Sequence, residues 1–148
     1  MPEKETLDRA RKDKRQGKAP STQAGEFVRE EIEHVREGKH GARSAKQALA
    51  IGLSKARRAG VKLAPPEKGK ASKKTREQAT RDVRKGKSGH KAKPSAKRSR
   101  ATLSALKREG HSAASKTALS RHARSAAAKR SAASRSRSAK KAARTRKK

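Results

Sequence analysis

Lysine and arginine are the side chains of this sequence best suited to do chemistry, and they concentrate toward its C-terminus. From Lys91 to Lys148 the chain carries twenty of them against one acidic residue, Glu109, in a background of Ala and Ser. Such side chains bind phosphates, because neutralising a polyanion releases its condensed counterions. The formal net charge of +32 also exceeds the roughly 8 charges that keep a small domain soluble. We therefore expect a nucleic-acid partner rather than a merely solubilising tail.

The phosphate contacts are expected to be collective and independent of base sequence. A helix-turn-helix reader needs a third supporting helix, and few side chains of the second predicted helix besides Gln47 suit base edges. One Phe and no Trp or Tyr provide no stacking platform for unpaired bases, which favours duplex DNA over RNA. RNA or ribosome association remains an alternative. The predicted contact residues are Lys55, Arg57, Arg58, Lys97, Arg98, Arg100, Lys107, Arg108, Arg121, Arg124, Lys129, Arg130, Arg135 and Arg137.

Other chemistry has little support in the residue types. The chain has no Cys, which excludes disulfides and thiolate metal sites. Its five His, at positions 34, 40, 90, 111 and 122, lack the spacing of a paired metal site. A Gly-rich phosphate loop and a nucleophile elbow are both missing. We expect no enzyme activity, no metal or other cofactor, and no small-molecule substrate.

Membrane insertion and secretion are not expected either. No apolar run approaches the ~18 residues of a membrane span. The N-terminal MPEKETLDRARKDKRQGK lacks the apolar stretch of a secretory signal. We predict a cytoplasmic protein without a membrane partner.

Two helices are predicted in the segment that holds most of the large apolar residues. The first covers residues 26–37, is capped by Ser21 or Thr22, and places three apolar side chains on one face at helical spacing: Val28, Ile32 and Val35. The second opens at Ser44, where Gln47 completes a capping box. It stops at Gly60, and Pro65-Pro66 prevents its continuation. A weaker helix is expected from Glu5 to Gln16.

The expected fold is small and all-α, with one αα-hairpin followed by largely disordered basic segments that become helical when bound. Nine of the fifteen large aliphatic and aromatic residues lie between Phe27 and Leu63, so a core is expected only there. We divide the chain into a charged N-terminal segment, the hairpin module, a basic linker and an Ala/Ser/Lys/Arg tail: 1–20, 21–64, 65–111 and 112–148. Because so small a core is marginal alone, an alternative function is a protein-interaction module, in which residues 26–63 form a homodimer or dock a protein partner.

The basic linker contains a degenerate second copy of the hairpin. Residues 35–41, VREGKHG, return as residues 83–89, VRKGKSG, and Ser44-Ala45-Lys46 returns as Ser95-Ala96-Lys97. Chance matching in this poor alphabet is the rival explanation. The first helix is acidic, and we expect it to pair with basic segments of the tail or a second copy, or else to be solvated with pairs such as Arg29–Glu33.

The segment 26–63 resembles a family of small basic bacterial proteins whose domain has no known function. The resemblance centres on S-x-K-Q-A-[LI]-A-I-[GA]-L-S-x-A-R, which spans Ser44 to Arg57 here. It implies a bacterial origin but brings no activity and no catalytic residues. The tail is similar in composition to those of linker histones and bacterial histone-like proteins. The expectation that follows is a histone-like protein associated with the bacterial nucleoid.

Overall fold

The computed structural model describes residues 2–89 and 95–146. Within these ranges the secondary structure is helical, and the one exception is an isolated bridge between Lys68 and Ala71. The prediction of a small all-α protein is confirmed. The helices are α1 (Lys4–Arg15), α2 (Pro20–Arg36), α3 (Ala45–Arg58), α4 (Lys73–Ser88), α5 (Ala96–Lys107), α6 (Lys116–Ala128) and α7 (Ala132–Arg146), with a 3₁₀ turn at Ser112–Ala114 between α5 and α6.

The centre of the fold is the predicted hairpin, formed by α2 and α3. α2 begins earlier than its apolar pattern indicated, because Pro20 occupies the first turn, where a missing amide proton costs nothing. The prediction that Ser21 or Thr22 caps this helix is therefore wrong. α1 packs against α2, and α4 packs against α3. The two faces of the hairpin are thus covered by helices of the same chain.

The predicted ends of α3 are confirmed, although the Gln47 side chain accepts from the amide before the N-cap residue rather than from that of Ser44. Ser44 Oγ accepts a hydrogen bond from the Gln47 amide at 3.2 Å, and Gln47 Oε1 accepts one from the amide of Arg43 at 2.9 Å. At the other end Gly60 has a φ of +89°, and the Val61 amide donates to the carbonyl of Ala56 at 3.1 Å. This is a Schellman ending, in which glycine adopts the left-handed conformation without strain.

Replacing Ser44 by alanine is expected to lower the free energy of unfolding by about 1 kcal/mol, because the Gln47 amide loses its acceptor. Urea denaturation followed by circular dichroism measures this change. Ser95→Ala is the matched control, since Ser95 precedes α5 without making a side-chain cap bond, and it should change stability by less than about 0.5 kcal/mol. Equal losses in the two variants would argue against the cap.

Two small apolar clusters flank the hairpin. One joins Leu7 and Ala10 of α1 to Phe27 of α2, and Ala56, Leu53, Val61 and Leu63 complete it. The other surrounds Ile32 and Val35. It includes Ala113 and Ala114 of the 3₁₀ turn and is flanked by Leu119 of α6. The core therefore draws on chain far outside the hairpin on both sides.

The expectation that the basic segments beyond residue 64 are largely disordered is wrong for the described residues, which form α4 to α7. Ala, Lys and Arg are strong helix formers, and like-charge pairs oppose a helix by only about 0.2–0.5 kcal/mol each. Ser72 and Ser115 add N-caps by accepting from the amides of Thr75 and Ala118 at 3.2 and 3.1 Å. Local propensity and capping together outweigh the repulsion.

The chain after α5 returns to the hairpin. The Gly41 and Ala42 amides donate to the carbonyls of Leu106 and Gly110 at 2.9 and 3.0 Å. Arg36 Nε donates to the carbonyl of Ala114 at 2.9 Å. The predicted boundary between residues 111 and 112 therefore falls within a segment that packs against α2 and α3.

Candidate nucleic-acid interface

Acidic and basic side chains are segregated along the folded chain. The acidic residues of α1 and α2 are largely paired with bases nearby: Arg9 contacts Glu5 and Glu26, each at 2.7 Å, and Arg29 contacts Glu33 at 3.0 Å. The Arg29–Glu33 pair was predicted. In the described part of the chain α2 forms no ion pair with the basic helices α5 to α7. Its ion pairs lie within residues 2–64, which we call the N-terminal body.

Lys55 is held inside the protein, contrary to its predicted place on a basic surface. Its Nζ donates to Glu30 Oε1 at 3.0 Å and lies 2.8 Å from Glu31 Oε2, and the lysine side chain is 15 % exposed. Burial acts to lower the pKa of Lys55, but the two glutamates outweigh it and raise this pKa above its ordinary value. Lys55 is thus a permanent cation that neutralises buried carboxylates of α2.

Of these two carboxylates, Glu30 is the one that accepts hydrogen bonds. Burial acts to raise the pKa of Glu30, but hydrogen bonds from the Glu3 amide and from Lys55 outweigh burial and hold this pKa below its ordinary value. Both bonds are 3.0 Å long. The α2–α3 contact therefore includes a charged group that stays ionised at neutral pH.

Arg57 is also turned inward. It is buried and donates to the carbonyls of Leu63 and Ala64, each at 3.3 Å, so it fixes the segment after α3. Burial lowers the pKa of Arg57, although nearby Asp82 partly opposes that effect. Arg58 is half exposed, with Nε 3.9 Å from Asp82 Oδ1. Of the three predicted contact residues in α3, Arg58 is the one with a guanidinium still accessible to phosphate.

The predicted contact residues beyond α4 are all at the surface. Among the described residues none of them forms an ion pair with an acid. Their nearest polar neighbours are mainly hydroxyls and carbonyls, as in the bond from Arg130 to Ser134 Oγ at 3.3 Å and from Arg135 to the Ala127 carbonyl at 3.3 Å. The exposed residues are Lys97, Arg98, Arg100, Lys107, Arg108, Arg121, Arg124, Lys129, Arg130, Arg135 and Arg137.

α6 presents a shallow basic depression. Its volume is about 490 Å³, and it is lined by Lys116, Thr117, Ser120, Arg121 and Arg124. These residues recur at three- and four-residue intervals, so they share one face of the helix. Two hydroxyls and three cations on one face can donate hydrogen bonds to the oxygens of successive phosphates.

A second basic cleft, of about 690 Å³, lies between α4 and the Pro65-Pro66 segment. Sequence reasoning did not single it out, although its α4 residues are spaced as one helical face. That spacing, together with the excess of Lys and Arg over acids in α4, would have been the signal. The charged and hydroxyl-bearing side chains of this cleft are Lys68, Lys73, Arg76, Glu77, Thr80, Arg81 and Arg84.

The structure also gathers residues that sequence spacing left apart. Glu31, His34 and His40 each bring one ligand atom to within 4.8 Å of the others. His90 lies outside the described residues. Metal sites were not expected because the His residues lack paired spacing along the sequence. That spacing does not show that the turn after α2 brings His40 beside Glu31.

Comparison with known proteins adds a family match for the N-terminal body. Residues 6–68 match the family of unknown function DUF6496. The matched segment begins in α1 and includes the whole α2–α3 hairpin, so the predicted likeness to a domain of unknown function is confirmed for this part of the chain. The basic helices α4 to α7 lie beyond it. No curated protein and no solved structure matches the chain.

No helix in the described ranges is both long and apolar enough to cross a lipid bilayer.

Proposed function

We propose that this protein is a non-enzymatic, sequence-independent nucleic-acid-binding protein that contacts the phosphates of duplex DNA. One observation carries the proposal. The carboxylates of the N-terminal body are largely paired, while the eleven predicted contact residues from Lys97 to Arg137 are exposed and have no acidic partner among the described residues. A histone-like role in the bacterial nucleoid is the cellular setting that we infer for it.

The proposed interface is built from helical faces. α6 offers Lys116, Arg121 and Arg124, the cleft beside α4 offers five basic side chains, and α5 and α7 add further exposed cations. Lys55 and Arg57 are left out, because Lys55 is only 15 % exposed, Arg57 is buried, and both are already bonded within the protein. Phosphate contacts from such faces need no base-edge recognition.

The salt dependence of binding tests the proposal. If about eight phosphates are neutralised, log K for a short duplex falls with log [salt] with a slope near −7. Fluorescence anisotropy of a labelled duplex over a salt series measures this slope with the full chain. A slope shallower than about −2 would contradict phosphate-based binding.

Two triple variants locate the interface. Lys116→Gln, Arg121→Gln and Arg124→Gln together should reduce the magnitude of the slope by about 3, one per lost phosphate contact. Lys12→Gln, Lys14→Gln and Arg15→Gln are the matched control. They remove the same charge from exposed positions of α1 and should leave the slope nearly unchanged. Equal effects of the two triples would indicate a response to net charge alone.

Competition distinguishes the alternative partner. Structured RNA with the same number of phosphates should displace the labelled duplex no better than unlabelled duplex DNA does. Stronger displacement by RNA would favour RNA or ribosome association. The homodimer alternative through residues 26–63 has less support, because α1, α4 and the 3₁₀ turn of the same chain already pack against this hairpin. Sedimentation of the full chain as a monomer would argue against it.

A further inference from the structure

Three metal-ligand side chains converge where α2 ends. Glu31 and His34 are three residues apart on α2, so they share one face of the helix. His40 follows in the loop before α3. The ligand atoms of the three residues lie within 4.8 Å of one another. Glu31 and His40 are buried, while the His34 side chain is 14 % exposed.

The Glu31 carboxylate lacks the hydrogen bonds that a buried carboxylate normally accepts. Glu31 is 0 % exposed, and neither of its oxygens accepts a hydrogen bond. The nearest cation is Lys55, whose Nζ lies 2.8 Å from Oε2 and forms an ion pair with it. Lys55 also pairs with Glu30. A single lysine therefore serves two buried carboxylates, and Glu31 lies beside the two imidazoles.

The distance between His40 and Glu31 fits a small divalent cation at this position. His40 Nε2 is 3.4 Å from Glu31 Oε1. In a tetrahedral zinc site with metal–ligand bonds of about 2.0–2.2 Å, neighbouring ligand atoms are separated by roughly 3.4 Å. We propose that Glu31, His34 and His40 bind a divalent transition-metal ion, with Zn²⁺ as the best-fitting ion. Two imidazoles and one carboxylate form a ligand set that zinc accepts, with a fourth position left open.

The neighbours of the three residues orient them as outer-shell groups do in metal sites. His40 Nδ1 lies 3.1 Å from the carbonyl of Gly41, a contact that leaves Nε2 free to ligate when Nδ1 carries the proton. His34 Nε2 lies 2.8 Å from Glu3 Oε1. Lys55 faces Oε2 of Glu31, so Oε1 remains for the metal. Of these residues, Lys55 alone was predicted to contact phosphate, and the proposed metal site does not depend on that function.

Bound metal would link α2 to the loop that carries His40. In that loop the Gly41 amide donates a hydrogen bond to the carbonyl of Leu106. The ion would therefore also stabilise the packing of the chain after α5 against the hairpin. Because metal would bind the folded state preferentially, its excess raises the apparent stability. The site would then serve as a structural clamp on the N-terminal body.

Calorimetric titration of the untagged, chelator-treated full chain with Zn²⁺ tests the proposal. We expect one equivalent of Zn²⁺ to bind, and a 100-fold excess over the dissociation constant to raise Tm by several degrees. Mg²⁺ should produce neither effect, since it prefers oxygen ligands in octahedral geometry. Absence of a one-equivalent Zn²⁺ site would overturn the proposal.

Single variants assign the ligands. His34→Gln, His40→Gln and Glu31→Gln should each weaken Zn²⁺ binding by at least tenfold. His122→Gln, which removes an imidazole from α6, should leave the affinity unchanged. Substitutions of the buried Glu31 and His40 can impair folding, whereas the His34 ring is partly exposed. The His34→Gln variant is therefore the decisive one, and circular dichroism verifies that it is folded. Unchanged binding in a folded His34→Gln variant, or equal loss in His122→Gln, would show that Zn²⁺ binds elsewhere.

Discussion

The variant Lys55→Met is expected to unfold with a free energy about 3–5 kcal/mol below that of the unsubstituted chain. The methionine side chain is similar in length to the methylene stem of Lys55, so little packing is lost. What disappears is the cation that faces Glu30 and Glu31, which are 2 % and 0 % exposed. Two carboxylates would then remain buried without a counter-charge. Against a typical total of 5–15 kcal/mol, this loss would populate the unfolded state measurably.

Urea denaturation followed by circular dichroism gives the free energies for this comparison. The matched control is Lys46→Met, which removes an exposed lysine from the first turn of the same helix and should change stability by less than about 0.5 kcal/mol. Both measurements are made without added metal, so that the result concerns the lysine alone.

A double-mutant cycle isolates the interaction itself. If Lys55 stabilises Glu31, the substitutions Lys55→Met and Glu31→Gln should be non-additive, with the double variant more stable than the sum of the single losses implies. Additive losses, or a Lys55→Met variant as stable as the control, would place Lys55 at the surface. If Lys55→Met lowered DNA affinity without changing stability, Lys55 would instead be a phosphate contact, as the sequence predicted.

Local signals made the ends of α3 predictable. The bond between Ser44 and the Gln47 amide and the left-handed Gly60 each depend on residues within one turn of the helix end. The all-α class follows from the same kind of information, since the apolar spacing in residues 26–37 has the period of a helix. Features of this type are encoded over a few residues and need no knowledge of the tertiary fold.

The features that the sequence did not predict depend on contacts between residues that are distant in sequence. Lys55 reads as part of a basic helical face, and only the approach of α2 shows that it is buried against Glu30 and Glu31. The docking of Ala113 and Ala114 was hidden because alanine gives a weak apolar pattern. The proposed cluster of Glu31, His34 and His40 likewise depends on the turn after α2 rather than on spacing along the chain.

The helices beyond residue 64 were not predicted for a different reason. Charge density and the scarcity of large apolar residues favoured disorder, whereas the described residues follow the helix propensity of Ala, Lys and Arg. α5 buries none of its residues, and α6 none beyond partial burial. The helicity of α5 and α6 therefore rests mainly on local propensity, and in α6 also on the N-cap of Ser115. An argument from the size of the core does not include these contributions.

The close approach of α2 and α3 requires a glycine at position 52, and Gly52→Ala is expected to be strongly unfavourable. A Cβ at this position would lie 2.7 Å from Val28 Cα and 3.0 Å from the carbonyl oxygen of Phe27. Both are backbone atoms, so no rotamer change relieves the clash and the two helices must separate. Overpacking of this kind costs about 1–3 kcal/mol, and sometimes more, although alanine gains up to about 1 kcal/mol in helix propensity.

Gly25→Ala is the matched control for that prediction. Gly25 lies within α2, and a Cβ there meets no atom within 4 Å, so the same substitution should stabilise the protein by up to about 1 kcal/mol. The two alanine variants thus share their intrinsic propensity gain and differ in the helix–helix contact. Because the propensity gain cancels between them, urea denaturation should separate the two variants by the overpacking cost alone, about 1–3 kcal/mol. If both variants are stabilised alike, α2 and α3 do not approach each other at Gly52, and the buried placement of Lys55 across the same helix pair is wrong as well.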